Sequence, residues 1–320
     1  MSIILIALKP EQVSEDQRQQ IQALAGGRQV VIAHQREEIE KCLDQIEIAA
    51  GGFPTEWIPR APNLRWLQTW GAGADWLLEH PHLAELDFIL TNASGVHAIP
   101  ISEHIFAFLL GFARRLPHSI RAQEKHVWQK TNRADLFELA DKTMLLIGVG
   151  AIGKRTAQIA AAMGMRVWGV RRNPAQSEAG IERMVGPDAW MNLLPEADFV
   201  VLTMPLTADT RHMVNAAAFA RMKPSAYLIN IGRGGTIDEP AMIEALRTGR
   251  IAGAGLDVFA TEPLPPDSPL WDMENVIISA HYSGITNEYD QRAMLIFLDN
   301  LQRYRSGKTL INIVDKQLGY

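Results

Sequence analysis

The sequence predicts an α/β protein built from two doubly wound parallel sheets. Three observations carry that prediction. Short apolar runs alternate with helical stretches along the chain, the pattern of parallel sheets covered by helices. At 320 residues the chain is long enough for two ordinary domains. Midway along it, Met144-Leu-Leu-Ile-Gly-Val-Gly-Ala-Ile-Gly153 joins a buried-strand pattern to a helix through glycines in G-x-G-x-x-G register.

In order, Ile3 to Leu8 reads as a first strand and 11–25 as a helix closed by Gly26-Gly27. Further strands are expected at 30–32, 46–50, 64–68 and 88–90. Two loops then fall at strand ends, where open sheets bind ligands: Gly51-Gly52-Phe53 and Trp70-Gly71-Ala72-Gly73. Pro100 precedes an amphipathic helix, with Ser102 as its expected N-cap and Arg114 and Arg115 at its end. Ile105, Phe108, Leu109, Phe112 and Leu116 make its apolar stripe, which suits a core helix between domains or a subunit interface. The second α/β unit runs from 144, with strands at 144–148, 167–170, 199–202, 227–230, 253–256 and 276–278 and a helix from Glu239 to Thr248. A last helix, about 285–305, follows the final strand and is expected to return to the first domain. The division is therefore 1–99 plus 285–320 for one domain and 100–284 for the other.

Composition excludes several classes. Apolar residues make up 47% and charged residues 21%, ordinary for a globular protein. The net charge of −5 comes without a basic block, so no nucleic-acid partner is expected. The apolar run from Ile105 to Ala113 has nine residues where a membrane span needs about 20, and Ile3 to Leu8 is too short for a signal peptide. Cys42 is the one cysteine, so no internal disulfide is possible and a reducing compartment, the cytoplasm, is expected. Histidines 80, 82, 118, 126 and 212 show no metal-ligand spacing, and no metal is expected.

The glycine motif carries a specific chemistry. Gly148 permits a tight turn, Gly150 lets a pyrophosphate approach the backbone, and Gly153 lets helix and strand pack closely. The helix that follows points free N–H groups and its positive dipole end at phosphates. A dinucleotide site is therefore expected. The acid that grips a ribose 2′-hydroxyl belongs about 20 residues on, yet no Asp or Glu occurs between Met165 and Ser177. The strand ends instead in Arg171-Arg172, which suits a 2′-phosphate and favours NADP over NAD. The alternative is that these arginines are solvated surface charge and either cofactor serves.

Three further segments follow apolar strands and so converge on the nucleotide edge: Asn230 to Gly235, Leu256 to Pro263 and Ser279 to Gly284. They bring an Arg, a Glu and a His together. Arg233 can clamp a carboxylate with two parallel hydrogen bonds. His281 can pass a proton to a carbonyl as hydride arrives. Glu262 can hold the imidazole and favour its protonated form. Singly, Glu262 also reads as a turn residue before Pro263 and Arg233 as a loop anchor; their joint placement favours chemistry.

With these residues in view, the chain resembles the D-isomer-specific 2-hydroxyacid dehydrogenases, and among them the glyoxylate/hydroxypyruvate reductase branch. The resemblance runs nearly end to end. It covers Gly71-Ala72-Gly73-Ala74-Asp75, Ser102-Glu103-His104, Gly148 to Gly153, Pro205-Leu206-Thr207, Asn230 to Gly234, Asp257 to Pro263, His281 to Gly284 and Val314-Asp315-Lys316. It implies a Rossmann nucleotide domain and a flavodoxin-like substrate domain with the active site in a cleft between them, and a homodimer built from the nucleotide domains. It implies Arg233 as carboxylate clamp, His281 as acid/base and Glu262 as its partner. Ala151 and Ile152 would lie against the pyrophosphate; Met204, Pro205, Thr210, Ile231, Gly232, Asp257 and Gly284 would line the cofactor; the backbone of Ala72 and Gly73 would touch the substrate carboxylate. Phe53, Trp70 and Tyr282 suggest apolar walls for the substrate. Ala280 departs from the family's proline before the histidine, which leaves the loop's rigidity to other groups.

The implied reaction is reduction of a small 2-keto acid by NADPH to the D-2-hydroxy acid. Other readings stay open at this point. One is a bulkier apolar keto acid. Another is a dinucleotide sensor of the C-terminal-binding co-repressor type, which keeps the same three residues; the absence of long disordered tails in a chain ending at Tyr320 counts against it. A phosphorylated substrate should call for basic residues in 51–58 and 70–78, and those stretches contain none.

Overall fold

The computed structural model describes residues 2–74 and 76–319. They fall into two compact units, Met1–Val96 with Thr286–Tyr320, and His97–Ile285. The divisions expected from the sequence are at 99/100 and 284/285.

The first unit begins with β1 (Ile3–Ala7), α1 (Glu15–Leu24), β2 (Gln29–Ile32), α2 (Arg36–Glu40), β3 (Ile46–Gly51), β4 (Trp66–Thr69), α3 (Trp76–Glu79) and β5 (Ile89–Thr91). Ser14 caps α1: its hydroxyl accepts the Gln17 amide, and the Gln17 side chain accepts the Ser14 amide. Among the described residues the strands form a five-stranded parallel sheet in the order β2-β1-β3-β4-β5, the flavodoxin-like arrangement. β1 is buried along its whole length, as expected of a strand covered on both faces.

The second unit contains α4 (Ala98–Ala113), α5 (Leu116–Glu124), β6 (Thr143–Ile147), α6 (Ala151–Ala162), β7 (Arg166–Val170), β8 (Arg183–Val185), β9 (Phe199–Leu202), α7 (Ala216–Phe219), β10 (Tyr227–Asn230), α8 (Glu239–Arg247), β11 (Gly253–Leu256) and β12 (Val276–Ile278). Among the described residues its sheet has seven parallel strands, ordered β12-β11-β10-β9-β6-β7-β8. The order reverses between β6 and β9, so ligands are expected outside the carboxyl ends of those two strands. The predicted pair of doubly wound sheets is thus observed.

Helix α4 starts earlier than its expected cap. His97 is the N-cap, Pro100 lies in the first turn, where its missing N–H costs nothing, and Ser102 is buried with its hydroxyl donating to the Ile99 carbonyl.

The last helix, α9 (Tyr289–Arg305), belongs to the first unit. Met294, Phe297, Leu298 and Leu301 pack with Ile4, Ile6, Ile48 and Trp66, and the Phe297 and Trp66 rings stack with centroids 5.4 Å apart. Each buried side chain of this size contributes about 1.5–3 kcal/mol, so the face of α9 fixes it to the sheet. No helix among the described residues is long and apolar enough to cross a membrane.

Candidate active site

The glycine motif forms the turn between β6 and α6. Gly148 has φ +102°, and a Cβ there would stand 2.6 Å from the Met204 amide nitrogen. Only glycine combines that dihedral with that approach. A Cβ on Gly153 would overlap the Gly148 carbonyl, so the third glycine sets the helix against the strand. Gly150 is the N-cap of α6, is exposed, and has nothing within 4 Å of where a Cβ would stand. The open N-terminus of α6 therefore has room for an anionic group, with Ala151 exposed and Ile152 half-buried beside it. The arrangement fits a dinucleotide.

Beyond β7, the Arg171 guanidinium donates to Glu178 Oε1 at 2.8 Å, and Lys154 Nζ lies 2.7 Å from the same oxygen. Lys154, then Arg171, hold the Glu178 carboxyl below its usual range. Glu178, one residue past the acid-free stretch from Met165 to Ser177, is thus the partner of Arg171 and Lys154. Arg172 is exposed.

Three loops build the rest. In the first, Asn230 is wholly buried at the end of β10; its side chain accepts the Gly232 amide and donates to the Arg233 carbonyl. The Thr236 hydroxyl donates to the same carbonyl at 2.7 Å. These bonds fix the backbone from which Arg233, half-buried, projects. In the second, the Phe259 amide donates to Glu262 Oε1 at 2.9 Å, leaving Oε2 for His281. In the third, His281 Nδ1 meets that oxygen at 2.6 Å. Gly234 lies so close to Phe259 and Ala260 that its Cβ would overlap their backbone, which brings the Arg233 loop against the Glu262 loop. The structure therefore assembles Arg233, Glu262 and His281 within one unit.

His281 has φ +52°, a left-handed conformation that costs a side-chain-bearing residue roughly 1–2 kcal/mol. The surrounding hydrogen bonds maintain it. The His281 amide donates to the Asp257 carbonyl at 2.8 Å, and the Asp257 carboxylate accepts the Tyr282 and Ser283 amides and the Ser279 hydroxyl. Burial pushes the Asp257 carboxyl up, but the hydrogen bonds from Ser279, Ser283 and Tyr282 outweigh it and hold the group below its ordinary value. Asp257 thus supplies the rigidity that Ala280 does not.

Several expected roles need correction. Asp257 is 0% exposed and commits its carboxylate to the His281 loop, so its side chain does not line a cofactor. The side chains of Met204 and Ile231 pack in the core of the second unit. Thr210 turns its hydroxyl onto the Pro205 carbonyl and accepts the Thr207 amide, shaping the 205–210 loop from within. Phe53, 5% exposed, is a core side chain rather than a substrate wall. Trp70 packs against two apolar clusters of the first unit and donates its indole N–H to Asp290 at 3.0 Å. Of the three aromatics, Tyr282 is the one half-exposed, at 50%. Gly232 and Gly284 are partly exposed and Pro205 is exposed. Ala72 and Gly73 are partly exposed in a loop pinned by Asn92, whose amide donates to the Ala72 carbonyl at 2.8 Å; Asp75, in the same motif, lies outside the described residues. Sequence reasoning placed His104 and Ser279 in motifs but gave neither a role; their side chains meet at 2.9 Å.

Comparison with known proteins identifies the family. Residues 106–283 match the family model described as D-isomer specific 2-hydroxyacid dehydrogenase, NAD binding domain. A glyoxylate/hydroxypyruvate reductase B of Pectobacterium atrosepticum is 37% identical over 279 residues, covering 85% of this chain and 85% of that protein. The crystal structure of an NADPH-dependent glyoxylate/hydroxypyruvate reductase from Sinorhizobium meliloti, in complex with NADP and sulfate, is 31% identical, covers 100% of both chains and has a TM-score of 0.84. A 2-hydroxyacid dehydrogenase from Xanthobacter autotrophicus, in complex with NADPH and MES, is 30% identical over 100% of this chain and 99% of that one, also at a TM-score of 0.84. The matched dinucleotide domain, the glycine turn and the Arg–Glu–His loops lead to one conclusion: this chain is an oxidoreductase belonging to the D-isomer specific 2-hydroxyacid dehydrogenase family.

Proposed function

We propose that the protein reduces a small 2-keto acid of the glyoxylate or hydroxypyruvate type to the D-2-hydroxy acid, with NADPH as preferred cofactor. The observation that carries this reading is the 2.6 Å pair of His281 and Glu262 next to the Arg233 loop. The names of the relatives above support the substrate class and the cofactor.

When bound, NADPH supplies the hydride to the substrate's C2. Gly148, Gly150, Ala151, Ile152 and Gly153 would hold its pyrophosphate at the α6 N-terminus. Arg171 and Arg172 would take its 2′-phosphate. Arg233 binds the substrate carboxylate through its forked N–H groups. Glu262, itself fixed by the Phe259 amide, holds the imidazole at Nδ1 and so aims Nε2 at the substrate. From Nε2 His281 delivers the proton to the carbonyl oxygen as the C–H bond forms. Oriented donors in a water-poor site supply most of the acceleration.

We place the enzyme in the cytoplasm as a homodimer joined through its dinucleotide units. The lone Cys42 suits a reducing compartment. Leu116, Ile120, Val127 and Trp128 are exposed in that unit, Trp128 at 92%, apolar side chains suited to burial between subunits.

Oxidation of NADPH and NADH at matched concentrations, against glyoxylate, hydroxypyruvate, pyruvate, phenylpyruvate and branched 2-keto acids, tests the reading. Turnover with small keto acids and a preference for NADPH is expected. Cofactor binding with no turnover of any acid would refute it.

A further inference from the structure

The loop carrying His281 is held from a side that the proposed chemistry does not touch. His104 lies in the second turn of α4, half-buried, with Nε2 2.9 Å from Ser279 Oγ. Ser279 Oγ lies 2.6 Å from Asp257 Oδ1. The Asp257 carboxylate in turn receives the Tyr282 and Ser283 amides, both at 3.1 Å.

Each proton in this chain has one direction. Asp257 is ionised and can only accept. Ser279 therefore donates its hydrogen to Asp257 and offers a lone pair to His104. His104 must then carry its hydrogen on Nε2, which makes it the neutral Nε2–H tautomer; burial favours that neutral form. Its ring also meets Tyr282 edge-on, with centroids 5.4 Å apart and planes at 89°, while its other neighbour is Phe108 at 4.6 Å. His104 thus touches the 279–283 loop at both ends, at Ser279 by a hydrogen bond and at Tyr282 by ring contact. His281 stands between them in its left-handed conformation, and Ala280 before it contributes no stiffening ring.

We infer that His104 is a positioning residue for His281, acting through Ser279 and Asp257 on the loop backbone and directly on the Tyr282 ring. The inference rests on the reading of His281 as proton donor. Its hydrogen bond to Ser279 and its ring contact with Tyr282 both fall on the His281 loop, so its effect should fall on the proton-transfer step and not on cofactor binding.

The test compares H104F, H104Q, S279A and H281Q in the full chain. H104F keeps a flat ring and removes the donor; H104Q keeps an N–H donor. H104F and S279A are expected to lower kcat between about 10- and 100-fold, as small misplacements of a reacting group do. Their NADP+ affinity and Tm should stay near those of the parent, and the pH profile of kcat/KM should move. H104Q should recover most of the loss, and the H104F/S279A double variant should be no worse than either single one. In the ligand-free protein, NMR should report His104 as the Nε2–H tautomer and show the His281 ring signals shifted in H104F. Parent-like kcat, pH profile and His281 signals in H104F, or additive losses in the double variant, would overturn the inference. H281Q separates the two readings: if it is inactive while H104F is parent-like, only the positioning role fails; if H281Q turns over like the parent, both fail.

Discussion

Gly234 lies directly against Phe259: a Cβ on the glycine would overlap the Phe259 carbonyl and stand 2.5 Å from the Ala260 nitrogen. The loop of the carboxylate clamp and the loop of Glu262 are therefore in backbone contact, and only a residue without a side chain allows it. G234A should cost at least about 1–3 kcal/mol through forced backbone movement and should separate Arg233 from the Glu262–His281 pair. Thermal unfolding and kcat measured on G234A check this. G186A is the control, since nothing lies within 4 Å of a Cβ at Gly186; equal behaviour of the two variants would contradict the account.

Arg233 is the proposed carboxylate clamp. Truncation to alanine leaves a buried substrate charge unpaired, a loss of about 3–5 kcal/mol. R233A should therefore lose that much transition-state stabilisation in kcat/KM. R233K should recover only part, because a single ammonium does not reproduce a bidentate fork. Near-parental kcat/KM in R233A would remove the clamp from the mechanism.

Two histidines make stability depend on pH. Burial lowers the pKa of His104 from the ordinary 6.5, against the opposing charge of Asp257. Burial likewise lowers His97, helped by the Arg233 charge and opposed by the Gly284 carbonyl. Both are favoured neutral in the fold, so below 6.5 the unfolded chain binds more protons and stability falls as pH falls. Asp257, held below its ordinary 3.8, adds a second loss only when pH drops further, through its folded value. Tm should thus decline between pH 7 and 5, and H104F should flatten part of that first decline while leaving the second. A flat Tm over the first interval would exclude the histidine contribution.

Trp128 is the most exposed of the apolar side chains at the proposed dimer surface. W128S should shift the protein toward monomer in sedimentation velocity while leaving the fold of each unit intact by circular dichroism. A parent-like sedimentation coefficient would place the interface elsewhere.

Much of this was readable in the chain. Strand Phe199–Leu202 is a continuous apolar run, and so is Tyr227 to Ile229 before the polar Asn230, because a parallel strand covered on both faces has no polar side to show. Gly148 and Gly153 were legible because the backbone at each excludes a side chain, and Gly150 completes their spacing. β8, Arg183–Val185, was missed: it is an edge strand, short and at most half-buried, so its sequence lacks the apolar run. Phe53 and Trp70 were misplaced because an aromatic beside a glycine loop reads the same whether its ring enters the core or a pocket. The cofactor role of Asp257 came only from the family resemblance; its carboxylate's partners, Ser279, Tyr282 and Ser283, are more than 20 positions away. Long-range pairing of that kind leaves no local pattern.

The most direct test of the central claim follows the hydrogen atom. Hydroxypyruvate would be reduced with NADPH deuterated at C4 on the face the enzyme uses, and the product examined by mass spectrometry and chiral chromatography. One deuterium is expected at C2 of the D-2-hydroxy acid, with H281Q and R233A each slowing its appearance severely. Deuterium absent from C2, an L product, or unimpaired transfer in H281Q would contradict it.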